Sequence, residues 1–465
     1  MNSIGKVSFV SFDKLSFEIT DFDKLEFNSK GNFYFAKGIL DFVTIINNQN
    51  EKFIYQVERI EDKEKILSAN ESSKFDYAAK VLCNPIGIIE NNKLNFDMKS
   101  YPFLQNKVYL TSNDEYQIIF DVKSDKSIYL GSIKEQFSAN FDINKLLTIH
   151  SAVLGNTGSG KSTTIRQILN EVEKYNYENL KIHVFDVHNE YSSLKGSKVI
   201  NVLKDYQINI GELDLQDWIN LVKPSDLVQL PILRISLQIA NAIFGGRISE
   251  TWLKCYLSKT LYNHLQTDAV AKRTKIISLL QGTGIDVSKY NSQYANFNGE
   301  NEAIFLKALD DKMISKHPNE KDYSFIQKQI ENSSYQVGSF PDLLTALNYT
   351  FYLEECKGNN QVRNHSATLE TRIKEIQSRY TKLFQSSKTD IKKELISVYD
   401  VSMLDDDLLL FFSTYLCKKI FNKNQQVKLV DREVNVFFLE EAHRYISRSK
   451  DMTLSQVFRV TNVEF

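Results

Sequence analysis

The chain is poor in the residues that build disulfide frameworks and metal clusters. Its 465 residues include four cysteines, Cys83, Cys255, Cys356 and Cys417, which lie far apart and share no paired spacing. Structural zinc sites and small disulfide-stapled folds both need closely spaced cysteines. We therefore expect neither feature, and the pattern suits a reduced, cytoplasmic compartment.

Long apolar runs are also lacking. No stretch approaches the roughly 18–20 apolar residues that a membrane-spanning helix needs. The first residues, Met1 to Phe9, lack the uninterrupted apolar core of a secretory signal. We expect a soluble, cytoplasmic protein that has no membrane partner.

Charge of one sign is not in excess, because 57 Lys and Arg residues face 58 Asp and Glu residues. A net charge of −1 gives no chain-wide signature of nucleic-acid binding, so any such contact must come from a local surface such as a pore lining. Seven basic residues could form such a lining, although a solvated helix face is the simpler interpretation of each: Lys272, Arg273, Lys275, Arg372, Lys374, Arg379 and Lys382.

Glycine is scarce, with 17 residues, yet three of them fall within one short motif. The stretch from Gly155 to Ser162 matches G-x-x-x-x-G-K-[ST], the Walker A pattern. The apolar run Leu146–Leu154 predicts a buried strand before it, and the residues after it have helical spacing. A glycine turn that arose by chance is the alternative interpretation.

A strand, a glycine loop and a helix together aim backbone N–H groups and a helix N-terminus at a polyphosphate. We expect Lys161 to reach the β- and γ-phosphates of ATP and the Ser162 hydroxyl to ligate Mg²⁺. The predicted nucleotide-binding residues are Gly155, Asn156, Thr157, Gly158, Ser159, Gly160, Lys161, Ser162 and Thr163.

A second motif lies near the end of the chain. The near-continuous apolar run Val434–Leu439 is typical of a strand in a parallel sheet, and Glu440 and Glu441 follow it. In a Walker B arrangement Glu440 would order Mg²⁺ through water, and Glu441 would act as the general base on the attacking water. An acidic helix start is the alternative. The phosphate loop earlier in the same chain favours Walker B.

A third polar cluster, Asp186-Val187-His188-Asn189-Glu190-Tyr191, follows a predicted strand that ends at Asp186. Open α/β sheets bind ligands at the carboxyl ends of their strands. Asp186, His188 and Glu190 could therefore face the nucleotide and support Mg²⁺ or the attacking water. A turn with ordinary capping is an equally good interpretation.

The predicted fold is α/β. It has a P-loop, RecA-like parallel sheet with a helical-bundle insertion, preceded by a small N-terminal β-barrel. Short β-rich runs over residues 1–135 are typical of a small barrel or sandwich. The predicted strands are Lys6–Val10, Leu15–Ile19, Phe42–Ile46, Phe53–Val57, Lys107–Leu110 and Tyr116–Phe120. Helical spacing predicts an insertion over residues 212–393. Residues 136–211 and 394–465 would form the ATPase core.

These motifs together resemble those of HerA-like proteins in the HerA/FtsK group of P-loop ATPases. The matching stretches are the phosphate loop, Asp186–Tyr191 (family pattern D-x-H-G-E-Y, with Asn189 in place of Gly) and Glu440-Glu441-Ala442-His443. The order of barrel, core and helical insertion matches as well.

The resemblance implies a hexameric ring with ATP between its subunits, and a barrel that assists assembly and partner docking. It also implies double-stranded DNA in the central channel and a nuclease partner of the NurA type. Related motors in anti-phage defence pair with other effectors. The alternative function is an ATP-dependent ring scaffold that holds an effector nuclease or NADase and has little motor activity.

The resemblance also sets an expectation for the end of the chain. The family core continues past its Walker B strand into further strands, a polar sensor and an arginine finger, whereas this sequence ends at Phe465. We therefore expect a truncated core or a fragment of a longer coding sequence. If the truncation is natural, the chain should bind ATP but hydrolyse it poorly.

Overall fold

A computed structural model describes most of the chain. The described residues are 3–29, 32–36, 38–65, 76–120, 127–133, 137–175, 177, 179–264, 268–291, 293–294, 296–314, 323–385 and 394–445. The stretch after Tyr445, on which the expectation of a truncated core rests, lies outside these residues. The chain divides into two compact units, Met1–Tyr175 and Asn176–Phe465.

The first unit is built mainly from antiparallel strands. In chain order they are β1 (Gly5–Val10), β2 (Leu15–Ile19), β3 (Glu26–Ser29), β4 (Asn32–Phe35), β5 (Phe42–Ile46), β6 (Lys52–Lys65), β7 (Asp76–Glu90), β8 (Lys93–Asn95) and β9 (Lys107–Leu110). Six of them pair in the order β2-β1-β9-β5-β6-β7, and β7 pairs again with β2. This last pairing closes the sheet into the predicted small barrel. Closure leaves no edge among these six strands for another chain to pair with.

Alternation along the strands directs apolar side chains into the barrel. Its interior is filled by residues that are almost completely buried, among them Val7, Leu15, Phe17, Ile45, Phe53, Tyr55, Val81 and Val108. Each large apolar side chain buried in this way contributes about 1.5–3 kcal/mol.

The predicted strand Tyr116–Phe120 is wrong, because these residues belong to helix α1 (Asn113–Phe120). Ser112 and Glu115 explain the difference. The backbone N–H of Ser112 donates to the Glu115 carboxylate at 2.8 Å, and the backbone N–H of Glu115 donates to the Ser112 hydroxyl at 3.3 Å. This reciprocal capping starts a helix and overrides the β propensity of the residues after it.

The first unit ends with the hairpin β10 (Ser127–Ile133) and β11 (Phe137–Asp142), followed by helices α2 (Ile143–Thr148) and α3 (Lys161–Glu173). The predicted strand Leu146–Leu154 is therefore wrong. Asp142 caps α2 by accepting the backbone N–H of Asn144 at 2.9 Å, so the chain enters a helix where a strand was expected. Among the described residues no strand pairs with 149–154, and Leu154 is 90% exposed.

The second unit contains a parallel sheet, as predicted. Its strands are β12 (Leu180–Asp186), β13 (Ser197–Asn201), β14 (Ile396–Asp400) and β15 (Val434–Leu439), in the spatial order β13-β14-β12-β15. All three pairings are parallel. β12 and β14 are almost entirely buried, whereas β15 lies at the edge of the described sheet and is partly exposed.

Helices supply the rest of the second unit. They are α4 (Val202–Asp205), α5 (Leu215–Val222), α6 (Gln229–Phe244), α7 (Glu250–Asn263), α8 (Ala269–Leu280), α9 (Glu300–Ile314), α10 (Tyr323–Glu331), α11 (Phe340–Cys356), α12 (Val362–Arg379) and α13 (Asp406–Gln425). Side-chain caps start several of them, as Asp214 does for α5, Ser249 for α7 and Asp405 for α13.

One continuous apolar core joins these helices to the sheet. Aromatic rings form its centre, where Tyr206 and Phe412 meet edge to face at 5.1 Å and Phe185 meets Tyr445 at 6.1 Å. The mixed α/β class is thus confirmed. The RecA-like description of the core and the domain boundaries at 135, 211 and 393 stay predictions.

Candidate functional site

The predicted phosphate loop is a tight turn that leads directly into α3. Gly158 and Gly160 have φ angles of +81° and +93°, whereas Ser159 between them is outside the left-handed region. Alternation of this kind turns successive backbone N–H groups toward a common anion. Only glycine adopts such angles without strain, so the backbone itself requires both residues.

Lys161 folds back over the start of this loop. Its Nζ donates to the backbone oxygen of Gly155 at 2.8 Å and to that of Asn156 at 3.1 Å. A Cβ at Gly155 would lie 2.3 Å from the hydroxyl oxygen of Ser159, so any side chain there would force that hydroxyl to rotate away. The loop thus combines a folded backbone with an ammonium group at its mouth, a donor set that fits a polyphosphate.

The other predicted binding residues continue this turn. Thr157 lies at the exposed tip, and Ser162 and Thr163 lie in the first turn of α3. The first helical N–H groups have no partner within a helix and are available to an anion. Every residue of the predicted nucleotide set is therefore in one continuous loop-to-helix segment of the first unit.

A second group of polar residues lies in the second unit, at the carboxyl ends of its four strands: Asn201, Asp400, Asp186 and Glu440. Strand register places Asn201 beside Asp400 and Asp400 beside Asp186. The Asn201 amide donates to the Asp400 carboxylate at 2.7 Å. This row of polar groups is at the sheet edge where α/β folds bind their ligands.

Asp186 holds the loop that follows β12. Its two carboxylate oxygens accept the backbone N–H groups of Glu190 and Tyr191, both at 2.9 Å, and its side chain is fully buried. The capping interpretation therefore accounts for Asp186. A role for Asp186, His188 and Glu190 in supporting the nucleotide stays a prediction.

Glu440 connects the end of β15 to the same loop. Its Oε2 accepts the backbone N–H of Val187 at 2.7 Å and that of His188 at 3.1 Å. Burial raises the pKa of this carboxyl above its usual range, and the two N–H donors offset part of that effect. The other oxygen, Oε1, makes no contact of this kind with the loop.

Glu441 lies between two imidazoles. Its Oε1 is 3.7 Å from Nε2 of His188, and its Oε2 is 3.1 Å from Nδ1 of His443. The side chain is 35% exposed, so solvent can reach it. The backbone of Glu441 is left-handed, with φ of 52° and ψ of 56°, a conformation that costs a non-glycine residue about 1–2 kcal/mol. Such strain is concentrated at functional sites.

Asn189 has a φ of +58°, which explains why the resembling family has glycine at this position. Asparagine tolerates left-handed angles better than other non-glycine residues. We expect Asn189→Gly to leave stability nearly unchanged and Asn189→Ala to cost about 1 kcal/mol, because alanine is strained there. That cost should lower the thermal midpoint of the second unit by about 2–4 °C in a calorimetric scan.

The matched control is Asn364→Ala on the exposed face of α12, where alanine is a good helix former and no loss is expected. Equal midpoints for Asn189→Ala and Asn189→Gly would contradict the strain argument.

Two residues of the polar row, Asp400 and Asn201, were missed by the sequence reasoning. Each ends a strand on a polar residue, which was the available signal. Within the described part of the chain, no three His, Cys, Asp or Glu side chains cluster as metal ligands. Nor does that part hold a helix long and apolar enough to cross a membrane.

Comparison with known proteins decides the family. A family model described as "Helicase HerA, central domain" matches residues 128–420, which is more than half of the chain. The chain belongs to the HerA family. This confirms the resemblance drawn from the motifs, and at that level the protein is a helicase-like ATPase.

Curated helicases match over shorter segments. A probable helicase of Methanocaldococcus jannaschii (MJECL08) is 34% identical over 134 residues, which are 28% of this chain and 24% of that protein. The DNA double-strand break repair helicase HerA of Pyrococcus furiosus is 28% identical over 131 residues, 26% of this chain and 22% of the relative. The matched segments thus span about a quarter of each relative's length.

Among solved structures, VirB4 of Thermoanaerobacter pseudethanolicus aligns over 73% of this chain and 76% of its own. The TM-score of 0.34 and the 15% identity are too low to support an argument about this HerA-family chain.

Proposed function

We propose that the chain is the ATP-binding and ATP-hydrolysing subunit of a hexameric motor that translocates or unwinds double-stranded DNA. The observation that carries the proposal is the loop Gly155–Thr163, with its left-handed glycines and the Lys161 ammonium at its mouth. Membership of the HerA family supports the same function, and the name of the Pyrococcus relative supports DNA as the substrate.

ATP binding would use the backbone N–H groups of the loop and the first turn of α3. Lys161 would exchange its two backbone carbonyl partners for the β- and γ-phosphates, a change that replaces neutral acceptors by charged ones. This exchange would make the loop sensitive to the presence of the γ-phosphate.

Mg²⁺ would be held by Ser162 and, through water, by Glu440. A hydroxyl and a carboxylate suit this ion, which keeps several waters and takes its remaining ligands from phosphate oxygens. Bound there, the ion would neutralise charge that develops on the phosphates.

Glu441 would polarise the attacking water as general base. Its side chain is accessible to solvent and lies beside the imidazoles of His188 and His443. The proton taken from the water would reside on a Glu441 carboxylate oxygen beside those imidazoles.

The basic residues suggested as a pore lining are in large part engaged within the fold. Arg372 donates to the backbone oxygen of Lys223 at 2.6 Å, Lys275 pairs with the buried carboxylate of Glu355 at 2.8 Å, and Lys374 pairs with Glu370. We therefore do not assign the DNA contact to these residues. A nuclease of the NurA type, or a defence effector, remains the proposed partner.

The test is ATP turnover with and without duplex DNA, together with the mass of the assembly. We expect a hexamer when nucleotide is present and turnover that rises several-fold with linear duplex, because a motor couples hydrolysis to its track. Turnover indifferent to DNA, on a ring that still forms, would reject the motor in favour of the scaffold function.

A further inference from the structure

The first Walker B carboxylate has a second role in this fold. Glu440 Oε2 accepts two consecutive backbone N–H groups, those of Val187 and His188, from the loop after β12. These bonds are within one unit, between the ends of the paired strands β12 and β15. A carboxylate that accepts backbone N–H groups makes charge-assisted bonds, which are stronger than neutral ones.

The loop is consequently held at both ends by acidic side chains. Asp186 accepts the N–H groups of Glu190 and Tyr191, and Glu440 accepts those of Val187 and His188. His188 lies between these two anchored segments, and its Nε2 is 3.7 Å from Oε1 of Glu441. Glu440 thus binds the backbone N–H of His188, and the ring of His188 lies beside Glu441, the residue that follows Glu440.

Side-chain length decides whether this arrangement is possible. Most Walker B motifs have aspartate at this position, and aspartate is shorter than glutamate by one C–C bond of about 1.5 Å. Withdrawing the carboxylate by that length from donors now at 2.7 and 3.1 Å would break both hydrogen bonds. Glutamate can therefore hold the loop where aspartate cannot.

We propose that Glu440 is a positioning residue that sets His188 against Glu441, in addition to any contact with the metal. Oε2 accepts the two N–H groups of the loop, and Oε1 would be the oxygen left for Mg²⁺. The inference rests on the proposed function for its effect on turnover, but the hydrogen bonds to the loop do not depend on turnover.

Glu440→Asp separates the two roles, because aspartate is an ordinary Walker B metal partner yet does not reach the loop. We expect kcat to fall about 10–100-fold, as when an outer partner of a reacting group is lost, whereas the Mg²⁺ half-saturation and the KM for ATP change less than about twofold. A rise confined to the Mg²⁺ half-saturation, or no change at all, would overturn the proposal.

A double-mutant cycle with His188→Ala tests whether Glu440 affects turnover through the His188 imidazole. If Glu440 acts through His188, Glu440→Asp should change kcat by less than about twofold in the His188→Ala background. Multiplicative losses would show that the two side chains act independently. Glu375→Asp, the same change on the exposed face of α12, is the matched control and should leave kcat unchanged.

Amide hydrogen exchange gives a readout that does not require turnover. Peptides that cover Val187 and His188 should exchange about 10–100-fold faster in Glu440→Asp, since two charge-assisted bonds are lost. If the protein hydrolyses no ATP, the proposed function fails, but faster exchange in Glu440→Asp still supports the hydrogen bonds between Glu440 and the loop. Unchanged exchange in a variant of an active protein would reject the role of Glu440 in holding the loop and would leave the proposed function intact.

Discussion

Lys161→Ala is expected to abolish nucleotide-dependent activity. The ammonium is the one side-chain cation of the phosphate loop, and it lies 2.8 Å and 3.1 Å from the loop oxygens of Gly155 and Asn156. Removing a preorganised electrostatic donor costs on the order of 10²–10³-fold in rate. We expect turnover to fall by at least that factor and ATP affinity to fall with it, because the lysine also meets the phosphates in the ground state.

The measurements are titration of a fluorescent ATP analogue and the rate of phosphate release. Lys174→Ala is the matched control, since Lys174 is exposed at the other end of α3 and its ion pair within the described residues is with Glu171. Should Lys161→Ala bind ATP and hydrolyse it as the parent does, the phosphate loop would not be the nucleotide site.

Glu441→Gln is expected to trap bound ATP. Glutamine has nearly the shape of glutamate and can present its oxygen to one of the two imidazoles and its NH2 group to the other, but it cannot take a proton from water. General-base catalysis contributes about 10²–10⁴-fold. We therefore expect kcat to fall by that range while ATP affinity stays within a few-fold of the parent, whereas Lys161→Ala should lose both.

Single-turnover quench measurements distinguish trapped ATP from continued hydrolysis, because they show whether the nucleotide bound to Glu441→Gln is ATP or ADP. Glu375→Gln on the exposed face of α12 supplies the same chemical change away from the site. Hydrolysis by Glu441→Gln at the parental rate would mean that another group activates the water, and His188 would be the next residue to test.

Local sequence patterns predicted a strand well where its own residues carry a clear hydrophobic pattern. β2, β5, β9 and β15 have the predicted residues because alternation or a continuous apolar run marks each one. β7 was missed, since alanines and Pro85 weaken its β propensity. Pairing with the preceding strand β6 and with β2, which is distant in sequence, stabilises it.

The two wrong strand predictions failed for different reasons. At Tyr116–Phe120 a capping box that was present in the sequence outweighed β propensity. At Leu146–Leu154 the apolar run predicted burial, but a parallel strand exists only when a neighbour supplies its hydrogen bonds. Apolar composition alone does not specify that neighbour.

The sequence by itself determined the phosphate loop, the acidic pair after β15 and the family, because each depends on residue types at short fixed spacing. Only the tertiary structure decided which groups the acidic residues at the strand ends contact. Asp186 and Glu440 are separated by more than 250 positions, yet both hold one loop through its backbone N–H groups. Nearly all residues have a backbone N–H group, so no sequence pattern reveals which carboxylate accepts it. The contact forms only because parallel pairing brings the carboxyl ends of β12 and β15 together.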